Sequence, residues 1–364
     1  MKKSLLALAT LGLFAGAASA QSSVTLFGIV DAAYGHVSAN GKSVSGMSNS
    51  GLNSSRLGFR GVEDIGGGLK ANFHLEGALA NDNGTPGGFN FQRRSTVGLM
   101  GGFGEIRLGR EYTPTFWSLT AYDPFGTNGV GQAMTPNMLG AFGLNAANTA
   151  NAVGLATNAV RANNSFNYFL PAMGGFEGWF QYGFGENGAA ASGTKANNYF
   201  GFRVGYAAGP LSAHFANGKT SGATSAADTK YTNFGASFDM GAVKPMLVWA
   251  QEKTGSGAKV TGLELGLVAP VGAGEVHASW AKYDVAASDN DWNKLALGYV
   301  YNLSKRTALY GTYAKVSNKG KQTFDVSNNG LRAAAASALP AGQAGWAAPG
   351  GSSTGYEFGV RHAF

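Results

Sequence analysis

Tyr356-Glu357-Phe358-Gly359-Val360-Arg361-His362-Ala363-Phe364 closes the chain. Tyr356, Phe358, Val360 and Phe364 recur at every second position, interrupted by His362. Successive side chains of a β-strand point to opposite faces. This segment therefore shows one face to oil and the other to water. A strand of this pattern, ending flush with the C-terminus of an exported chain, predicts a closed β-barrel in an outer membrane.

Export is written at the other end. Residues 1–20 read as a secretory signal, with Lys2 and Lys3 as the basic start and Ala18-Ser19-Ala20 as the cleavage site. The apolar run 5–15 is shorter than the roughly 20 residues a spanning helix needs, and no later run is longer. Residues 21–364 are expected to form one barrel domain. Charged residues make up 13% of the chain and aromatics 12%. Apolar residues interleaved with polar ones, without long runs, fit a transmembrane barrel. The 57 glycines argue against a helical chain, because each costs about 1 kcal/mol in a helix interior. Cysteine is absent, so stability falls to the hydrogen-bond ladder and not to disulfides.

The clearest strand is 69–80. Leu69, Ala71, Phe73, Leu75 and Leu79 share one face, and Lys70, Asn72, His74 and Glu76 the other. Charge on the lipid side costs about 2–4 kcal/mol near the midplane, so polarity fixes the register. Sixteen such segments run from 23–34 to 354–364, with 54–64, 92–100 and 104–111 among them. An even count brings both termini to one side of the membrane. Gly66-Gly67-Gly68, Gly101-Gly102-Phe103 and Ala208-Gly209-Pro210 read as tight turns. Long loops at 35–53, 81–91, 112–162, 186–198 and 317–353 alternate with them, the asymmetry expected of short periplasmic turns and long outer loops.

The third loop, 112–162, is too long for an ordinary hairpin, and loops of that length usually carry function. It contains no Lys or Arg before Arg161. Its acids are Asp123 and, at its start, Glu111. A barrel of sixteen strands encloses a wide channel, and this loop is placed to narrow it. Alternation turns Arg56 and Arg60 inward on one strand, Arg94 on the next but one, and Arg107 on 104–111. Arg93 adjoins Arg94 at the opening of its strand, and Arg161 follows the long loop. Converging arginines select anions.

The segments Ser55-Arg56-Leu57-Gly58-Phe59-Arg60-Gly61, Arg93-Arg94-Ser95-Thr96-Val97-Gly98-Leu99 and Gly104-Glu105-Ile106-Arg107-Leu108-Gly109-Arg110 resemble the general porins of Gram-negative bacteria, of the β-proteobacterial type. So do Ser23–Asp31, Asn302–Tyr310 and the closing strand. The resemblance spans the whole mature chain and is nearest to the anion-selective Comamonas type. It implies a homotrimer of sixteen-stranded barrels, each narrowed by an infolded third loop. It maps a constriction arginine cluster onto Arg56, Arg93 and Arg161, where alternation prefers Arg94 to Arg93. It also implies contact with outer-membrane lipid and lipopolysaccharide, and a C-terminal strand (Tyr356, Phe358, Phe364) read by the barrel assembly machinery. Small anionic or neutral solutes are the expected cargo. Few loop acids face the basic wall, which implies a weaker transverse field and a stronger anion preference.

Two other classes fit less well. An outer-membrane hydrolase needs a nucleophile, base and orienting group in reach, and the chain has no Gly-x-Ser-x-Gly, only His74 beside Glu76 on a wet face. An adhesin would use the loops 35–53 and 317–353 and have a plugged lumen. No metal or cofactor motif is present: there is no cysteine, no His-x₃-His and no full P-loop. The basic residues lie in strands and not on an aromatic-interleaved patch, which argues against nucleic acid.

Overall fold

The computed structural model describes residues 23–84, 90–134, 137–142, 144, 159–185, 196–326 and 347–364. The expected signal segment 1–20 and the Ala/Asn-rich stretch 145–158 lie outside them. Seventeen strand segments form one antiparallel sheet. The first six are β1 Ser23–Ala39, β2 Lys42–Asn49, β3 Arg56–Gly66, β4 Leu69–Ala78, β5 Arg94–Gly101 and β6 Gly104–Tyr112. Then come β7 Arg161–Phe169, β8 Phe176–Gly183, β9 Tyr199–Ala208, β10 Leu211–Thr220, β11 Thr229–Phe238 and β12 Lys244–Thr254. The last are β13 Lys259–Val271, β14 Gly274–Val285, β15 Trp292–Asn302, β16 Thr307–Asn318 and β17 Ser352–Ala363.

The sheet closes on itself. β17 pairs back onto β1 from Ile29↔Ala363 to Ala39↔Ser353. Gly28 and Phe364 then exchange two backbone hydrogen bonds of 3.1 Å. Closure leaves no free edge. Leu69, Val97, Leu99 and Leu108 are exposed on the outside, as alternation requires.

Seventeen segments make sixteen staves because β2 and β3 share one edge of β1. β2 lies opposite 32–39 and β3 opposite 23–29. The expected loop at 35–53 is therefore largely strand. β1 runs on to Ala39, and Asn40-Gly41 turns it back with both φ values positive, 51° and 71°. An Asn-Gly pair between alternating segments is the favoured two-residue hairpin turn.

Between β2 and β3 the chain leaves the ladder at 50–55. Buried Asp31 holds this excursion: its Oδ2 accepts from Leu52 N at 2.9 Å and Asn53 N at 2.6 Å, and its Oδ1 from Tyr310 Oη at 2.5 Å. The two N–H bonds satisfy backbone donors that the ladder no longer serves, and the third ties the excursion to β16.

The third loop packs against the inner wall. Its first turn is α1, Pro114–Thr120, with Thr113 Oγ1 accepting from Phe116 N and Pro114 opening the helix. A short turn, α2 Met138–Ala141, follows. Wall groups hold the loop's backbone along its length. Asn233 Nδ2 donates to Thr115 O (3.0 Å), Tyr283 Oη to Ala133 O (2.7 Å) and Lys294 Nζ to Gln132 O (2.5 Å). Glu357 accepts from Val130 N and Glu252 from Leu139 N, both at 2.9 Å. Leu119, Tyr122, Phe125, Met134 and Met138 of the loop share a buried cluster with Val248, Tyr283 and Trp292 of the wall.

Candidate functional site

Five of the inward-pointing arginines fall into two groups of different net charge. The first comprises Arg56, Arg93 and Arg161. Glu76 of β4 lies among them, with Oε1 2.6 Å from Arg93 Nε and 3.6 Å from Arg56 Nη1. Tyr112 Oη accepts from Arg93 Nη2 at 2.7 Å and from Arg161 Nη2 at 3.1 Å. The Arg161 guanidinium also stacks 4.6 Å over the Tyr112 ring. Three positive charges thus meet one carboxylate, an excess of two.

In the second group Arg94 and Arg107 meet two carboxylates. Arg94 lies 2.8 Å from Glu111, and Arg107 lies 2.8 Å from Glu111 and 2.7 Å from Glu105. These charges balance. Arg60 stands apart from both, over the Phe27 ring at 5.2 Å, and has no carboxylate partner among the described residues.

The choice between Arg93 and Arg94 has a geometric answer: both reach the lumen. Arg94 opens β5 and follows its alternation. Arg93 precedes the strand, and its N–H still bonds Glu76 O at 3.0 Å. Outside the regular ladder, its side chain is free of the period-two rule and turns onto Glu76.

The two expected constriction-loop acids take other positions. Glu111 belongs to β6, on the same wall as the arginines, and is neutralised there. Asp123 is buried. Its carboxylate accepts from the backbone N–H of Phe125 (2.8 Å), Thr127 (3.0 Å) and Ala133 (3.3 Å). Burial raises its carboxyl above the ordinary aspartate value against those three donors. It organises the loop from within and presents no charge to the pore.

Several participants were not singled out from sequence. Glu76 was legible as a lumen residue, yet its pairing needs the β4–β5 register, which sets Glu76 opposite Arg94. Arg110 should face lipid by alternation with Leu108. A register shift between Gly109 and Glu111 turns it, so that it bonds Gln92 O at 2.5 Å and Asn163. Gly109 sits at φ 124°, a value open in practice to glycine alone, and marks this bulge in the sequence. Ser54 sets Arg56: Ser54 O accepts its Nε at 2.8 Å, and Ser54 Oγ donates to Asn128 of the loop at 2.7 Å.

A closed antiparallel barrel with an apolar outer band and a charged interior is a membrane channel. The chain belongs to the Gram-negative porin family, which it matches over residues 6–321. It is 45% identical to outer membrane porin protein 32 of Delftia acidovorans, over all of both chains. An outer membrane porin of Bordetella pertussis is 32% identical, over 86% of this chain and 94% of its own. The solved anion-selective porin from Comamonas acidovorans superposes with a TM-score of 0.81 at 42% identity, covering 94% of this chain and 100% of that one. The chain is an outer-membrane porin of a Gram-negative bacterium, a passive pore for small hydrophilic solutes and not an enzyme.

Proposed function

We propose that this porin favours anions and that Arg56, Arg93 and Arg161 set the preference. The observation that carries this is the unequal balance of the two arginine groups. Arg94 and Arg107 are fully paired with Glu105 and Glu111, whereas the trio retains an excess of two positive charges. A fixed excess charge on the wall attracts counter-ions and repels co-ions. The first measurement is the zero-current potential of the purified protein in a planar bilayer under a KCl gradient. Faster passage of chloride supports the arginine trio. A cation preference discards it, and a preference unchanged after joint neutralisation of Arg56, Arg93 and Arg161 places the filter elsewhere.

The porin works as a homotrimer on this reading, and the outer surface supports an interface on β1–β6. The exposed large apolar side chains of those strands are aliphatic apart from Tyr34 and Met47, including Val24, Leu26, Val97 and Leu108, while the outward Phe59 and Phe73 are half-buried. From β7 to β17 the outside carries Phe166, Phe180, Phe200, Phe234, Trp280 and Tyr299. Aromatic side chains girdle the lipid-facing band of such barrels. An arc poor in exposed aromatics suits packing against a second copy, and lipid and lipopolysaccharide cover the rest. Val97→Arg should yield monomers on cross-linking, and a retained trimer would move the interface. The C-terminal strand serves as the assembly signal, so deleting Phe364 should cut the yield of folded barrel.

A further inference from the structure

Among the loop residues facing the lumen, Trp117 is out of place. α1 buries Pro114, Thr115, Ser118 and Leu119 against the wall, leaving Phe116, Trp117 and Thr120 on its other side. Trp117 is 44% exposed, and its indole N–H donates to no protein acceptor among the described residues. A large apolar ring is held against water here with one ring contact among the described residues. Its neighbour is Tyr112, ring to ring at 5.6 Å and tilted by 51°. Tyr112 is the residue whose hydroxyl joins Arg93 and Arg161.

Arg161 lies 4.6 Å from the Tyr112 ring centre, so the indole and that guanidinium are at most about 10 Å apart. A cationic pair that binds carboxylate therefore stands within one small molecule's length of an unoccupied aromatic face. We propose that Trp117, braced from behind by Tyr112, forms a stacking shelf beside Arg93 and Arg161, and that the shelf and the two arginines are a transit site for aromatic monocarboxylates. The carboxylate docks on the guanidinium groups, whose N–H donors match its two oxygens. The ring lies against the indole, where an aromatic pair gains more than its buried area alone provides. This site rests on the anion-selective constriction proposed above and narrows its substrate class.

The test separates the two. Chloride current through the purified porin in planar bilayers is titrated with phenylacetate and with cyclohexylacetate, which share charge and chain but differ in aromaticity. Wild-type porin should be half-blocked by phenylacetate at a concentration about three- to tenfold lower than by cyclohexylacetate, the range an aromatic pair provides. Trp117→Ala should abolish that ratio, and Trp117→Phe should keep most of it. Equal block of the wild type by both acids overturns the shelf, as does a ratio that survives Trp117→Ala. The wild-type comparison needs no variant to fold. The zero-current potential in KCl alone, on the same preparation, tests the arginine trio independently of either acid.

Discussion

Glu76→Gln is the sharpest probe of the constriction's charge balance. Glu76 is the lone carboxylate among Arg56, Arg93 and Arg161, with its Oε1 2.6 Å from Arg93 and 3.6 Å from Arg56. Glutamine keeps an acceptor for Arg93 and removes one negative charge, so the excess rises from two to three. An ion passing about 8 Å away feels about 0.5 kcal/mol per unit charge at the dielectric of water. In 0.1 M salt, with a Debye length of about 10 Å, screening leaves roughly half of that. Chloride gains what potassium loses, so the difference doubles back to about 0.5 kcal/mol. The chloride-to-potassium permeability ratio should therefore rise about twofold. Zero-current potentials under a KCl gradient near 0.1 M read this directly. Near 1 M, where the Debye length is about 3 Å, variant and wild type should converge. An unchanged or smaller chloride preference at low salt would refute the reasoning, as would a rise that persists undiminished at 1 M.

Other substitutions test the supports of the site. Tyr310→Phe removes the 2.5 Å bond to buried Asp31, leaving a carboxylate short of one donor; a loss of about 1–3 kcal/mol should lower the barrel's thermal unfolding temperature in detergent. Gly109→Ala forces a side chain onto φ 124° and into the Ser95 carbonyl, so folded yield should fall, and normal yield would mean the bulge relaxes. Gly129→Ala, at φ 60° and against Glu357 and the Gly51 carbonyl, should loosen the loop's seat and raise open-channel current noise, while a quiet channel would show that this contact is dispensable. Asp123→Asn keeps an acceptor for the turn at 125–133 and takes no charge from the pore, so the KCl selectivity should stay within error of wild type.

Alternation made the barrel legible because lipid penalises every misplaced charge on one face of every strand. Leu69–Ala78 follows the pattern predicted from Leu, Phe, His and Glu alone. The first hairpin was missed although Asn40-Gly41 announces it, because His36, Ser38, Ser43 and Ser45 give the extension too little polarity contrast. Arg94 obeyed parity, whereas Arg93 escaped it because a rule of period two ends where the ladder ends. The acids were harder still. Asp123 is polar in sequence and internal in the fold, since its carboxylate caps three backbone donors that no local pattern names. Whether an arginine is neutralised depends on which strand stands beside it, and register across four strands is a long-range property.

The third loop bonds the inside of β11, β12, β14, β15 and β17. A wide hollow cylinder under the lateral pressure of a bilayer tends to flatten, and nothing in a ladder of hydrogen bonds opposes a change of cross-section. A segment tied to five staves from within acts as a cross-brace and holds the section round. The loop is thus a strut as well as a lining, and any change that loosens one of its ties is felt mechanically across the section.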